Sequence, residues 1–130
     1  MLLDTSGLLC YFDKGDARHS DAVTLFDAAT TKLTHSYVLA ELVALTHARR
    51  LPRQASLDFV VGILDNAEIE IVWVDELLYR AALSFLQARL DKTYSLCDAI
   101  SFLLMQERGI AKALTTDHHF EQAGFRRLLK

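Results

Sequence analysis

Four carboxylates in this 130-residue chain stand where ordinary surface acids do not. Glu41 is the one acid in the run Tyr37-Val38-Leu39-Ala40-Glu41-Leu42-Val43-Ala44-Leu45-Thr46-His47-Ala48. Its neighbours at helical spacing are Tyr37, Val38, Ala44 and Leu45, so it has no polar stripe to sit on. A helix apolar all round belongs in an interior, where a lone carboxylate is costly unless paired or metal-bound. The other possibility is a side chain that reaches solvent through a gap. Asp98 repeats the pattern in Ser95-Leu96-Cys97-Asp98-Ala99-Ile100-Ser101-Phe102-Leu103-Leu104-Met105. A capping box with Ser95 as cap also accounts for it, and the two roles are compatible. Asp4 and Asp117 each follow a short apolar run, where an acid serves equally well as a helix cap or as part of a site. Asp58, Asp65, Glu68, Asp75, Glu76, Asp91 and Glu107 lie at helix ends or on mixed faces, where solvent accounts for them.

The elements that must position these acids are short strands alternating with helices. Met1-Leu2-Leu3 begins a buried strand, and Asp4-Thr5-Ser6 supplies helix-capping residues. Ala22, Val23, Phe26 and Ala29 mark a helix over about 20–29. Lys32-Leu33-Thr34 is a second strand. Ser36 caps a helix over about 37–49, and Pro52 opens the next, which reaches about Asn66. Ile69, Ile71, Val72, Trp73 and Val74 are strand-formers. A helix over about 77–90 and another over about 95–107, stopped by Gly109, follow. Ala113-Leu114-Thr115 is a fourth strand, with a helical turn near Phe120 and a last strand over 125–128. This alternation predicts an α/β sheet, mostly parallel and covered on both faces. Ligands of such sheets bind beyond the carboxyl ends of the strands. Asp4 and Asp117 lie at that edge and are candidates for one shared site.

The length is that of one domain. Half the residues are hydrophobic, enough to fill a core. No apolar run approaches the ~18 residues of a membrane span. The N-terminus lacks the basic region of a signal peptide. Cys10 and Cys97 cannot make a disulfide framework and read as buried thiols, which fits a cytoplasmic location. The net charge of −3 neither supports nor excludes a nucleic-acid substrate, because acids around bound cations no longer repel phosphate. Arg49, Arg50 and Arg53 form the densest basic group, with Lys92, Arg126, Arg127 and Lys130 elsewhere.

The motifs Leu3-Asp4-Thr5-Ser6, Ala40-Glu41-Leu42, Ser95-Leu96-Cys97-Asp98-Ala99 and Thr115-Thr116-Asp117-His118-His119-Phe120 occur in that order. In these the chain resembles, over essentially its whole length, the PIN-domain ribonucleases, and most closely the short VapC-type toxins of toxin–antitoxin pairs. The resemblance implies a single PIN domain over 1–130, a three-layer α/β/α sandwich with a central, mostly parallel sheet of four to five strands. It implies that Asp4, Glu41, Asp98 and Asp117 converge on one or two Mg²⁺ or Mn²⁺ ions, with Ser6 and Thr115 as supporting hydroxyls. It further implies an RNA substrate, a small antitoxin partner and a homodimer. The chain departs from the pattern at His119, where many relatives carry a further acid or amide, so the resemblance offers no fifth ligand there.

Such a cluster suits phosphodiester hydrolysis, because a dication activates water and shields the charge building on phosphate oxygens. Hard cations take oxygen ligands, so carboxylates without a Cys or His set favour Mg²⁺ or Mn²⁺ over zinc. Two carboxylates ~5 Å apart repel by ~3 kcal/mol at an effective dielectric of ~20. Either one acid keeps its proton or a cation enters. Arg49 and Arg50 are candidates for gripping RNA backbone or an acidic partner, although a helix end whose charges suit its dipole explains them equally. His118 and His119, beside Asp117, are candidates for contacting substrate or shuttling protons, or are incidental loop residues. His47 lies off the Glu41 face. A phosphate-receiver module needs paired acids after its first strand and a late Lys, neither of which is present. A haloacid-dehalogenase-type phosphatase needs an acid two residues after Asp4, where Ser6 stands. A PIN fold serving as a binding or adaptor module with little catalysis is the alternative reading.

Overall fold

The structure, a computed structural model, describes residues 1–130. Its elements are β1 (Leu2–Leu3), α1 (Thr5–Phe12), α2 (His19–Ala28), β2 (Lys32–His35), α3 (Ser36–Ala48), α4 (Arg53–Asp65), β3 (Ile69–Val72), α5 (Glu76–Gln87), α6 (Leu96–Arg108), β4 (Lys112–Leu114), α7 (His119–Gln122) and β5 (Arg126–Arg127). The strands form one sheet in the order β3-β2-β1-β4-β5, and every pairing is parallel. This is the expected α/β sheet at its upper strand count.

Side chains alternate across a strand, so Leu2 and Leu3 enter opposite cores. Leu3 joins Leu8, Val38, Leu42 and Leu114 beneath α1 to α4. Leu2 joins Leu33, Ile100, Phe102 and Phe120 beneath α5 to α7. Both faces of the central strands are therefore dry, as parallel sheets require. Chain order runs outward from β1 to β3, then returns past β1 to β4 and β5. The reversal falls between β1 and β4, where ligands of open parallel sheets bind.

Three local features set the geometry of that point. Gly7 lies on the backbone of β4 so closely that a Cβ there would stand 1.9 Å from the Leu114 carbonyl oxygen. Only glycine lets α1 approach the strand this way. Helix α6 begins with a complete Ser95–Asp98 capping box and ends at Gly109, whose left-handed φ of 65° suits glycine. His35, at the end of β2 and fully buried, accepts the Val38 amide at Nδ1 (3.3 Å) and donates from Nε2 to Ser101 Oγ (2.8 Å). That ring ties β2, α3 and α6 together, and burial holds its pKa at about 4.

Two elements differ from the sequence pattern. The third strand stops at Val72, leaving Trp73 66% exposed, while the Val74 amide donates to Ser36 Oγ. The last strand is confined to Arg126–Arg127, against the expected 125–128, while the helix that Asp4-Thr5-Ser6 opens runs over Thr5–Phe12. No helix is long and apolar enough to cross a membrane.

Candidate active site

Asp4 leaves β1 directly, and its amide donates to the Leu114 carbonyl of β4 (3.2 Å). It occupies the N-cap position of α1, yet its side chain makes no capping bond. Instead Oδ2 accepts from Thr115 Oγ1 at 2.7 Å and from Ser6 Oγ at 3.3 Å. The two hydroxyls are 3.1 Å apart. Each also accepts a backbone amide, Thr116 on Ser6 and Asp117 on Thr115. Thr115 spends its one proton on Asp4, so the Ser6 proton is shared between Asp4 and Thr115. Capping therefore does not account for the Asp4 carboxylate, which is 5% exposed and aimed across the sheet.

Asp98 fulfils both of its possible roles. Its amide donates to Ser95 Oγ, and its Oδ2 accepts the Ser95 amide, each at 3.0 Å. The same Oδ2 lies 3.4 Å from His119 Nδ1. Asp117 also keeps a local role, because its Oδ1 accepts the His119 amide at 2.9 Å. Glu41 is exposed, on an open strip of α3 with Ala40, Ala44 and Ala48. The gap to solvent, rather than burial, is what the helix provides.

All four acids nevertheless line one cavity of about 300 Å³, with Thr5, Ser6, Thr93, Ser95 and His119; Leu45 is its only hydrophobic wall. No Lys or Arg reaches it. Larger clefts, of about 500 and 450 Å³, open around Arg126 and Lys112 at the opposite edge. Their one acid, Glu121, is held by Arg127 at 3.0 Å. Size does not select the site; converging carboxylates do.

The electrostatics follow from this composition. Burial above all pushes Asp4 up to about 7, with the charges of Asp98 and Glu41 adding to it and the Thr115 bond opposing it. Burial, helped by Asp117, also raises Asp98. Cys97, buried beneath the acids, is likewise pushed up, by desolvation and then by Glu41, Asp4 and Asp98. The cup therefore holds more negative charge than its own groups neutralise. Thr5 Oγ1 is buried at its wall without a hydrogen-bond partner. Four carboxylates lining one cavity that no lysine or arginine reaches fit a hard dication with its remaining waters.

Several expected residues lie elsewhere. Arg49 and Arg50 are exposed at the end of α3 and do not line the cavity; Arg50 takes a left-handed φ of 58°. His118 sits outside it, 64% exposed, with Nδ1 3.7 Å from Asp117 Oδ1. His119, a candidate substrate contact or proton shuttle from its place beside Asp117, does line the site, and so does Thr93, which the sequence did not single out. Nothing local marked Thr93.

A parallel five-strand sheet with acids gathered at its switch point defines a class. The chain belongs to the PIN domain family, whose profile matches residues 1–126. It is similar to the 23S rRNA-specific endonuclease VapC20 of Mycobacterium tuberculosis, 31% identical over 126 residues, covering 96% of this chain and 95% of that protein. It is also similar to a VapC ribonuclease of Archaeoglobus fulgidus, 26% identical over 125 residues, covering 92% and 78%. The crystal structure of M. tuberculosis VapC20, described as a sarcin–ricin loop cleaving toxin, superposes with a TM-score of 0.88 at 28% identity, covering 99% of this chain and 98% of that one.

Proposed function

We propose that the acid cup is the active site of a divalent-metal-dependent endoribonuclease, the toxin of a toxin–antitoxin pair. The observation that carries this is the convergence of Asp4, Glu41, Asp98 and Asp117 on a cavity that no Lys or Arg reaches.

Asp4, Asp98 and Asp117 would hold the ion, Mg²⁺ or Mn²⁺. When bound, it supplies a water of lowered pKa and a counter-charge for phosphate oxygens. The chain's own groups do the positioning. Thr115 and Ser6 fix the Asp4 oxygen, the Ser95 capping box fixes Asp98, and the His119 amide fixes Asp117. Glu41, exposed among the cavity's lining residues, would accept the proton of the attacking water. Arg49, the C-cap of α3, lies roughly 12 Å beyond Glu41 at the helical rise per residue, and Arg50 follows it outside the helix. They would contact the RNA backbone outside the cup, with His118 at its opposite lip.

Similarity to VapC20 supports structured ribosomal RNA as the substrate class. The toxin description of VapC20 supports a small antitoxin partner, and a homodimer and a cytoplasmic setting are part of the same proposal. The test is cleavage of purified ribosomes and ribosomal RNA with Mn²⁺ or Mg²⁺, with EDTA, and by Asp4→Asn and Asp98→Asn variants. A defined cut that EDTA and both substitutions abolish is expected. Cleavage surviving all three would remove the acids as catalysts.

A further inference from the structure

His119 is the one nitrogen donor inside the cup, and its ring is held there from three sides. Its amide donates to Asp117 Oδ1, its Nε2 meets Thr93 Oγ1 at 3.0 Å, and the ring stands edge-on to Tyr94 with centroids 5.5 Å apart. The ring is 17% exposed. These contacts leave Nδ1 facing the acids, 3.1 Å from Asp117 Oδ1 and 3.4 Å from Asp98 Oδ2. Adjacent corners of an octahedron with metal–ligand bonds of ~2.1 Å are about 3 Å apart. Nδ1 therefore stands at neighbouring-ligand spacing from each of the two acids. A hydroxyl on the far ring nitrogen is also the usual means of orienting a metal-ligating imidazole.

We infer that His119 Nδ1 is a ligand of the divalent ion at the Asp98–Asp117 end of the cup, making it a mixed nitrogen–oxygen site that favours Mn²⁺ over Mg²⁺. This rests on the metal-dependent reading above. Imidazole suits transition dications, whereas Mg²⁺ prefers all-oxygen surroundings. His118 is the weaker candidate: it packs on the His119 ring with centroids 4.4 Å apart, but it is 64% exposed and its Nδ1 is 3.7 Å from Asp117 Oδ1, without a hydrogen bond to orient it.

The test needs no RNA. Mn²⁺ bound to the purified protein is examined by pulsed electron paramagnetic resonance, which detects a directly coordinated ¹⁴N. The nitrogen signal is expected in the wild type and in His118→Asn, and should vanish in His119→Asn. Equilibrium dialysis should show Mn²⁺ binding weakened roughly tenfold or more in His119→Asn and Mg²⁺ binding much less. Mn²⁺ bound without nitrogen coupling, or coupling that survives His119→Asn, overturns the inference and leaves an all-oxygen metal site. A wild-type protein that binds no Mn²⁺ overturns the metal-dependent reading and this inference together.

Discussion

Thr115 Oγ1 donates a 2.7 Å hydrogen bond to Asp4 Oδ2 across 111 positions of sequence, joining the ends of β1 and β4 at the point where the sheet reverses. Both groups are buried. Thr115→Val keeps the shape and deletes the donor, and it also strands the Asp117 amide that the hydroxyl accepts. We expect a stability loss of about 1–3 kcal/mol and a roughly 10- to 100-fold fall in metal affinity or activity. Thr115→Ser should restore most of both. Chemical denaturation and ribosomal RNA cleavage rates measure the two effects.

The metal-free protein carries two opposed pH dependences. Asp4 titrates near 7 in the fold against 3.8 as a free group, so the folded chain holds the extra proton. Its contribution is present below about pH 4 and is lost as pH rises to about 7, a change of roughly 4 kcal/mol. Asp98 shifts in the same direction. His35 is lowered from 6.5 to about 4, so the unfolded chain holds the extra proton. Its contribution is present above about pH 6.5 and is lost as pH falls to about 4, roughly 3 kcal/mol. In EDTA the wild-type melting temperature should therefore stay flat or fall between pH 4.5 and 7. Asp4→Asn keeps an acceptor for Thr115 and removes one descending limb, so its melting temperature should rise relative to wild type across that window. Parallel profiles would contradict the assignment of Asp4.

Gly7 brings a related expectation. A Cβ would stand 1.9 Å from the Leu114 carbonyl oxygen, a backbone atom that cannot swing aside. Gly7→Ala should therefore destabilise by several kcal/mol, although alanine is the better helix former by ~1 kcal/mol. Gly62→Ala is the control, since nothing lies within 4 Å of its added methyl. It should be neutral or slightly stabilising. Thermal melts of the two variants check the contrast.

These particulars also show where sequence was informative. The capping box at Ser95 and the short apolar run of β1 were visible because their causes are local: hydrogen bonds within one turn, and burial of both Leu2 and Leu3. The four acids were visible because each broke an apolar pattern or followed a strand. What escaped depends on distant partners. Glu41 was expected to be either buried or gapped, and apolar composition cannot separate the two when the neighbours are small alanines. Trp73 and Val74 have the composition of strand residues, but β2, the neighbour of β3, ends at His35, paired with Val72. His119 was marked by its place beside Asp117, but its orientation comes from Thr93, Tyr94 and Asp98, 21 to 26 positions earlier, which no local window shows.

Divalent-ion titration of thermal stability at pH 7.5, in wild type and Asp98→Asn, tests most directly whether the acids share an ion. At a hundredfold excess over Kd, Mn²⁺ should add about 2.7 kcal/mol to the wild type, a rise on the order of 10 °C for a domain of this size. The variant should gain little. An unchanged wild-type melting temperature, or an equal rise in Asp98→Asn, would mean that Asp4, Asp98 and Asp117 do not hold a common cation.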